Sequence, residues 1–297
     1  MVYFLTNICL PNYQKDNTAY KYSHITPAYG RGVALELLEV NYAYWILHNN
    51  GIDNIRLVSS CNDVQDDDVV IFYNCTNNIA RSKLDFHKSY KKIQIVTDQP
   101  VVDNCDGYVC YDPSIISRDV DREWFHVMYP LPVGLKKCKP TWPPTNITCI
   151  SPDAVTLLSQ VLDIKDVNII TDSYVNTGSE HVMFHLRKKL TFDESRGMQT
   201  RMKFPSHKTA NRLYQSWFCN IPGIFSSNSA MDHIRHSEFD FLEANNLDEL
   251  RYQINRLVTD KRLYFNMVDN CIERQNENNY NTITKQWRDI ISHYENN

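Results

Sequence analysis

The chain has 297 residues, 42% apolar and 22% charged, with a formal net charge of −4, values ordinary for a folded protein of one large or two modest domains. That charge excludes a uniformly basic, nucleic-acid-coating surface, though not a local basic groove, and no apolar run is long enough to span a bilayer. Nine cysteines without CxxC spacing lead to an expectation of reduced, mostly buried thiols in a cytoplasmic setting and of no zinc site.

In chain order, residues 2–10 predict a first strand; Asn7 and the lack of a cationic flank set the segment apart from a signal peptide. Residues 27–47 carry Val33, Leu37, Leu38, Tyr42 and Ile46 at helical spacing, with Asn49-Asn50-Gly51 as the stop. Strands are expected at 55–59, 69–74, 93–97, 108–111 and 125–131, with a short helix over 82–90. The stretch 136–145, KKCKPTWPPT, has three prolines and can continue neither a strand nor a helix. It is read as part of a hinge, 136–146, after a first domain at 1–135. A second series follows, with strands at 147–150, 167–171, 182–186 and 223–225 and helices at 154–162, 209–219 and 248–259. Residues 262–294 read as one long helical stretch. Alternating strands and helices predict α/β layers around mostly parallel sheets, in two Rossmann-like α/β/α domains facing a cleft. Ligands of such sheets bind beyond the carboxyl ends of the strands.

The most informative stretch is 180–230. An apolar strand ends in Arg187-Lys188-Lys189, and a later helix carries Lys208, Asn211 and Arg212 in its first turn, capped by Ser206 or His207. Lysine there opposes the helix dipole, so a bound anion would account for it. Arginine offers a planar fork to phosphate oxygens, and a helix N-terminus adds free N–H groups. A solvated basic face is the plain alternative.

From Arg187 the series continues through Lys208-Thr209-Ala210-Asn211-Arg212-Leu213, Trp217, Asn220-Ile221-Pro222-Gly223-Ile224, Phe241-Leu242-Glu243-Ala244 and Trp287-Arg288-Asp289-Ile290-Ile291. This ordered series resembles the donor-binding half of GT-B glycosyltransferases over roughly the last third of the chain. The resemblance implies a nucleotide-sugar donor, UDP being the usual nucleotide, in a domain at 147–275, with 276–297 packing back on the first domain. It also implies that Arg187, Lys208 and Arg212 hold the diphosphate, with Asn211 on phosphate or ribose. Ser227, Asn228 and Ser229 would lie near the donor sugar or phosphates, and Glu243 would bond the ribose. One departure stands out: many retaining members carry a glutamate where this chain has Ser226–Ala230, so retaining stereochemistry is in doubt.

In the first half, Gly30-Arg31-Gly32 precedes a helix, where glycines let a backbone approach a ligand; a plain tight turn is the alternative. In GT-B enzymes a loop so placed faces the donor, and Arg31 would add charge. A general base must reach the acceptor hydroxyl. Asp98, past the fourth strand, is the first candidate, His24 the second and Asp112 the third. Asp66-Asp67-Asp68 comes before a strand, on the wrong side for a metal-binding motif, and is read as a solvated turn; no cofactor or metal is expected. Asn and Tyr are frequent and Gly scarce (8 residues), a bias that fits an AT-rich viral genome. That bias admits a phage-type acceptor, a hydroxymethylated pyrimidine in DNA, with Lys83, Lys88, Lys91, Lys92, Arg118 and Arg122 forming a basic groove. A surface glycan or small molecule is the competing acceptor, and a non-catalytic nucleotide-binding scaffold the competing function. No membrane partner is expected.

Overall fold

Runs such as VYFL and VVIFY put apolar side chains on both faces of a strand, which only a sheet covered on both sides can bury. The computed structural model describes residues 1–6, 40–73, 83–97, 101–129, 136–149, 168–171, 182–185, 209–226 and 229–296. In it both runs are strands, β1 (Val2–Leu5) and β3 (Val69–Tyr73), with every residue buried. The first sheet adds β2 (Ile55–Val58), β4 (Lys91–Val96), β5 (Gly107–Cys110) and β6 (Trp124–His126). Its order is β2-β1-β3-β4-β5-β6, and all pairs are parallel. Between β1 and β2 stands α1 (Tyr42–Asn49). It stops where the sequence signals: the Asn50 amide donates to the Ile46 carbonyl at 2.7 Å, and Gly51 takes φ +78°, a conformation that suits glycine.

The second sheet holds β7 (Asn146–Cys149), β8 (Asn168–Thr171), β9 (Val182–His185), β10 (Gly223–Phe225) and β11 (Leu242–Glu243), again all parallel. Its order is β8-β7-β9-β10-β11. Counted along the chain, this repeats the arrangement of the first five strands of the other sheet. The helices are α2 (Asn211–Cys219), α3 (Ser229–Ile234), α4 (Leu247–Thr259), α5 (Lys261–Glu277) and α6 (Tyr280–Glu295). Two compact units result. One comprises Met1–Gly134, His207–Thr209 and Asn278–Asn297; the other comprises Leu135–Ser206 and Ala210–Glu277.

The last helix therefore returns to the first unit, where it packs on α1 and β3. Ile283, Trp287, Ile290, Ile291 and Tyr294 form its buried face. At its end the Tyr294 hydroxyl lies 3.1 Å from the Asp106 carbonyl and 2.6 Å from the Glu123 carboxylate. Burial, then the Glu123 carboxylate, push its phenol upward, so it remains a donor. It also stands where a Cβ on Gly107 would be, with 1.9 Å between the two. Gly107→Ala is thus expected to cost about 1–3 kcal/mol through overpacking. Urea melts should show the penalty shrinking in a Tyr294→Phe background, where the clashing oxygen is gone.

Several sequence expectations need correction. Residues 84–90 are turn and coil rather than helix. The Asp85 carboxylate accepts from the His87 N–H at 2.9 Å, a local bond that competes with helix formation. The long stretch 262–294 is two helices, broken at Asn278-Asn279. The Asn279 side chain accepts from the N–H groups of Asn281 and Thr282, at 2.9 and 3.2 Å, and so starts α6. Helix α3 and strand β11 carry no prior expectation. The helix expected over 154–162 lies outside the described residues. The proline-rich 136–145 packs into the second unit: Cys138 N–H donates to the Cys219 carbonyl at 2.8 Å, and Trp142 lies against that unit's core.

Candidate functional site

In a parallel sheet the strand order reverses at one point, and the carboxyl ends there open a crevice no connection covers. In the second sheet that point lies between β7 and β9. The same edge carries the ends of β10 and β11, paired Phe225 to Glu243. Ser226 closes the pair, its hydroxyl donating to the Ala244 carbonyl at 2.9 Å.

Helix α2 connects β9 to the parallel β10, so its N-terminus lies on this edge. Its cap is Ala210, which supplies no side-chain bond, and its first turn holds no acidic residue. The first turn of a helix leaves N–H groups without intrahelical partners and a positive dipole end. Helix α4, which follows β11, is different. Its cap Asn246 accepts from the Glu249 N–H at 2.9 Å and donates to the Glu249 carboxylate at 2.7 Å, with Asp248 and Glu249 in the first turn. The two ends of this edge are therefore electrostatically unlike.

Four expected donor-site residues are described. Asn211 is the first residue of α2 and half-buried. Arg212 is buried and donates to the Gln215 amide oxygen at 3.2 Å, one turn along its own helix. Glu243 ends β11 with an exposed carboxylate that accepts from the Asn245 amide at 2.9 Å. Asn211 and Glu243 stand on the same sheet edge. Ser229 is the first residue of α3. Arg187, Lys208, Ser227, Asn228, Gly30, Arg31, Gly32, Asp98 and His24 lie outside the described residues. The described helix begins at Asn211 with Ala210 as cap, so the expected cap at Ser206 or His207 is replaced.

Other candidates have local roles. Asp112 is buried and caps the short 3₁₀ turn Pro113–Ile115, accepting from the Ser114 N–H at 3.0 Å. The Asp66–Asp68 stretch forms the turn before β3, where the Asp68 carboxylate accepts from the Gln65 N–H at 2.7 Å. Among the described residues no group of three or more His, Cys, Asp or Glu is placed to hold a metal. Six described cysteines are free, five of them buried. Burial pushes the Cys110 thiol up to about 12, far from nucleophilic range.

Several cations expected in a basic groove are engaged locally. Lys92 is buried, its ammonium donating to the Lys88 and Tyr90 carbonyls at 2.8 and 3.0 Å over the Tyr90 ring. Lys88 donates to the Val64 carbonyl at 3.3 Å. Both sit with Lys91 at the amino end of β4, opposite the ligand edge. Arg122 pairs with Asp119 at 2.7 Å and Asp103 at 3.2 Å. Lys83 is half-buried and Arg118 exposed.

One cluster escaped the sequence reading. Asp240, fully buried, pairs with Arg274 at 3.1 Å and accepts from the Asn270 amide and the N–H groups of His236 and Ser237. Its partners lie up to 34 residues away along the chain, so no local motif announces it.

No protein-family model matches the sequence, and no curated protein does. Solved structures do. AviGT4, a glycosyltransferase involved in avilamycin A biosynthesis, aligns over 99% of this chain and 97% of its own, at TM-score 0.58 and 10% identity. TarM from S. aureus, solved with fondaparinux, α-GlcNAc-glycerol and UDP, aligns over 85% of this chain at TM-score 0.55 and 10% identity. HepE from Anabaena, in complex with UDP, aligns over 84% at TM-score 0.53 and 9% identity. The chain spans 59% of the matched chain of the GtfA/B complex and 58% of TarM. No described helix is long and apolar enough to cross a membrane. On architecture, two parallel sheets with flanking helices and a terminal helix that returns to the first unit, the chain has the GT-B glycosyltransferase fold.

Proposed function

We propose that the chain is a glycosyltransferase that moves a sugar from a nucleotide-diphosphate sugar, UDP-linked, to an acceptor hydroxyl. The observation that carries this reading is the carboxyl edge of the second sheet. There an uncapped helix N-terminus, α2, and an exposed carboxylate, Glu243, share the side where doubly wound sheets take ligands. Arg187 follows β9 by two residues and Lys208 precedes the α2 cap by two in sequence, and both are proposed as ligands of the diphosphate. The diphosphate would sit on the α2 N–H groups, with Arg187 and Lys208 neutralising the charge that builds on the leaving group. Arg212 would add to them by turning from Gln215, and Glu243 would accept from the ribose. The UDP complexes of TarM and HepE support a UDP donor.

A glycan or small-molecule hydroxyl is the favoured acceptor. Hydroxymethylated DNA is less favoured, because Lys92 and Arg122 are engaged within the first unit. Asp98, two residues past β4, is proposed as the general base, with His24 second. A non-catalytic donor-binding scaffold is the second reading, favoured by the lack of a glutamate across Ser226–Ala230.

UDP release from a panel of UDP-sugars, with and without glycan acceptors, tests this reading. Turnover is expected, and Asp98→Asn should lower kcat by about 100- to 10,000-fold with donor KM little changed. Donor binding without turnover would favour the scaffold. A DNA acceptor would show affinity falling steeply as salt rises.

A further inference from the structure

We infer that the amino-terminal edge of the second unit is a docking surface for an anionic lipid membrane, formed by the exposed cations Lys137, Lys139, Lys261 and Arg262. Two segments distant in sequence meet there. The Tyr264 hydroxyl bonds the Thr141 backbone, and the Lys261 ammonium lies 5.8 Å from the Trp142 ring. The first turn of α5 thus lies along the proline-rich stretch that carries Lys136, Lys137 and Lys139.

In a chain of formal net charge −4, these two segments bring together five cations and one carboxylate. That carboxylate, Asp260, is engaged in accepting from the Leu263 N–H at 2.9 Å. Lys137, Lys139, Lys261 and Arg262 are exposed and make no ion pair with a described residue. The surface precedes β7 and follows the returning α4, so it lies on the edge opposite the proposed donor site and is separate from it.

Lysine predominance selects the partner. Lysines are hydrated point charges without the fork that reads a phosphate bidentately, which suits a diffuse field of anionic headgroups better than a shaped polyanion. Trp142 is half-buried, its ring against the core and its indole nitrogen buried, so it fixes the segment that carries the lysines. Prolines 140, 143 and 144 stiffen the segment that presents them.

The test is flotation of the full chain with phosphatidylcholine vesicles and with vesicles containing about one third phosphatidylglycerol. Binding is expected to the second kind only, falling as salt rises. Lys137→Glu, Lys139→Glu and Lys261→Glu combined should lower vesicle affinity about a hundredfold, at roughly fivefold per lysine, while the melting temperature stays as in the parent. Lys83→Glu with Arg118→Glu, in the first unit, should leave vesicle binding intact. Equal binding by the triple variant, or equal loss in the first-unit variant, overturns the assignment. So does capture of a single-stranded oligonucleotide with no vesicle binding, which would make the partner a nucleic acid.

Discussion

Asp240→Ala should destabilise the second unit by about 3–5 kcal/mol, the usual loss when one partner of a buried ion pair is removed. The reason is the number of groups left stranded. Asp240 is 0% exposed at its side chain and Arg274 6%. Without the carboxylate, the Arg274 guanidinium keeps the Ile234 carbonyl at 2.8 Å, the His236 Nδ1, the Glu277 carboxylate and the Trp217 face, but it becomes a buried charge with less compensation. The N–H groups of His236 and Ser237 also lose their acceptor, which held them at 2.7 and 2.9 Å. Thermal melts should show the drop as on the order of 10 °C. The paired change Asp240→Leu with Arg274→Met should cost less than either single truncation, because it removes both charges. If Asp240→Ala melts like the parent, the network does not hold α2, α5 and the segment before β11 together.

Trp287→Ala is expected to cost about 3–5 kcal/mol, this time in the first unit. Trp287 is 0% exposed, its ring edge-to-face with Phe4 of β1 at 5.9 Å. It occupies the centre of the stripe that seats α6, between Ile283 and Ile291. A cavity of indole size there removes the ring contact between the helix and Phe4 of β1. Limited proteolysis reads the consequence directly: cleavage around Asn278-Asn279 should accelerate, and the fragment 1–277 should accumulate. Trp287→Phe should be milder, since the indole N–H has no hydrogen-bond partner to lose. Unchanged proteolysis in Trp287→Ala would mean that α6 is held elsewhere.

Sequence periodicity served the strands better than the loops. VVIFY, short and β-branched, reads as a strand buried on both faces, and Asn50-Gly51 carried its helix stop in its own stereochemistry. Short or locally competed segments were illegible. β11 is two residues long, below any period, and Asp85 and Asn279 redirect the backbone through side-chain bonds that an apolar stripe does not encode. The buried Asp240 cluster is invisible for another reason: Asn270 and Arg274 come from a helix that reads as an ordinary packing stripe. At the candidate site, residue types suggest a chemistry but carry no pose. Arg212 stands on the packed face of α2, where Gln215 accepts from it, and nothing in its spacing distinguishes that face from the exposed one.

The proposed pyrophosphate site is the carboxyl edge of the second sheet, with Arg187 and Lys208 as its cations. Titration of UDP into the parent chain and into the Arg187→Ala, Lys208→Ala double variant, followed by calorimetry alongside a melt of each free protein, tests it directly. The parent should bind UDP and the variant at least tenfold more weakly, at about 1.4 kcal/mol per decade, with the two free proteins melting alike. UDP binding of equal strength in both, or none in the parent, would contradict it.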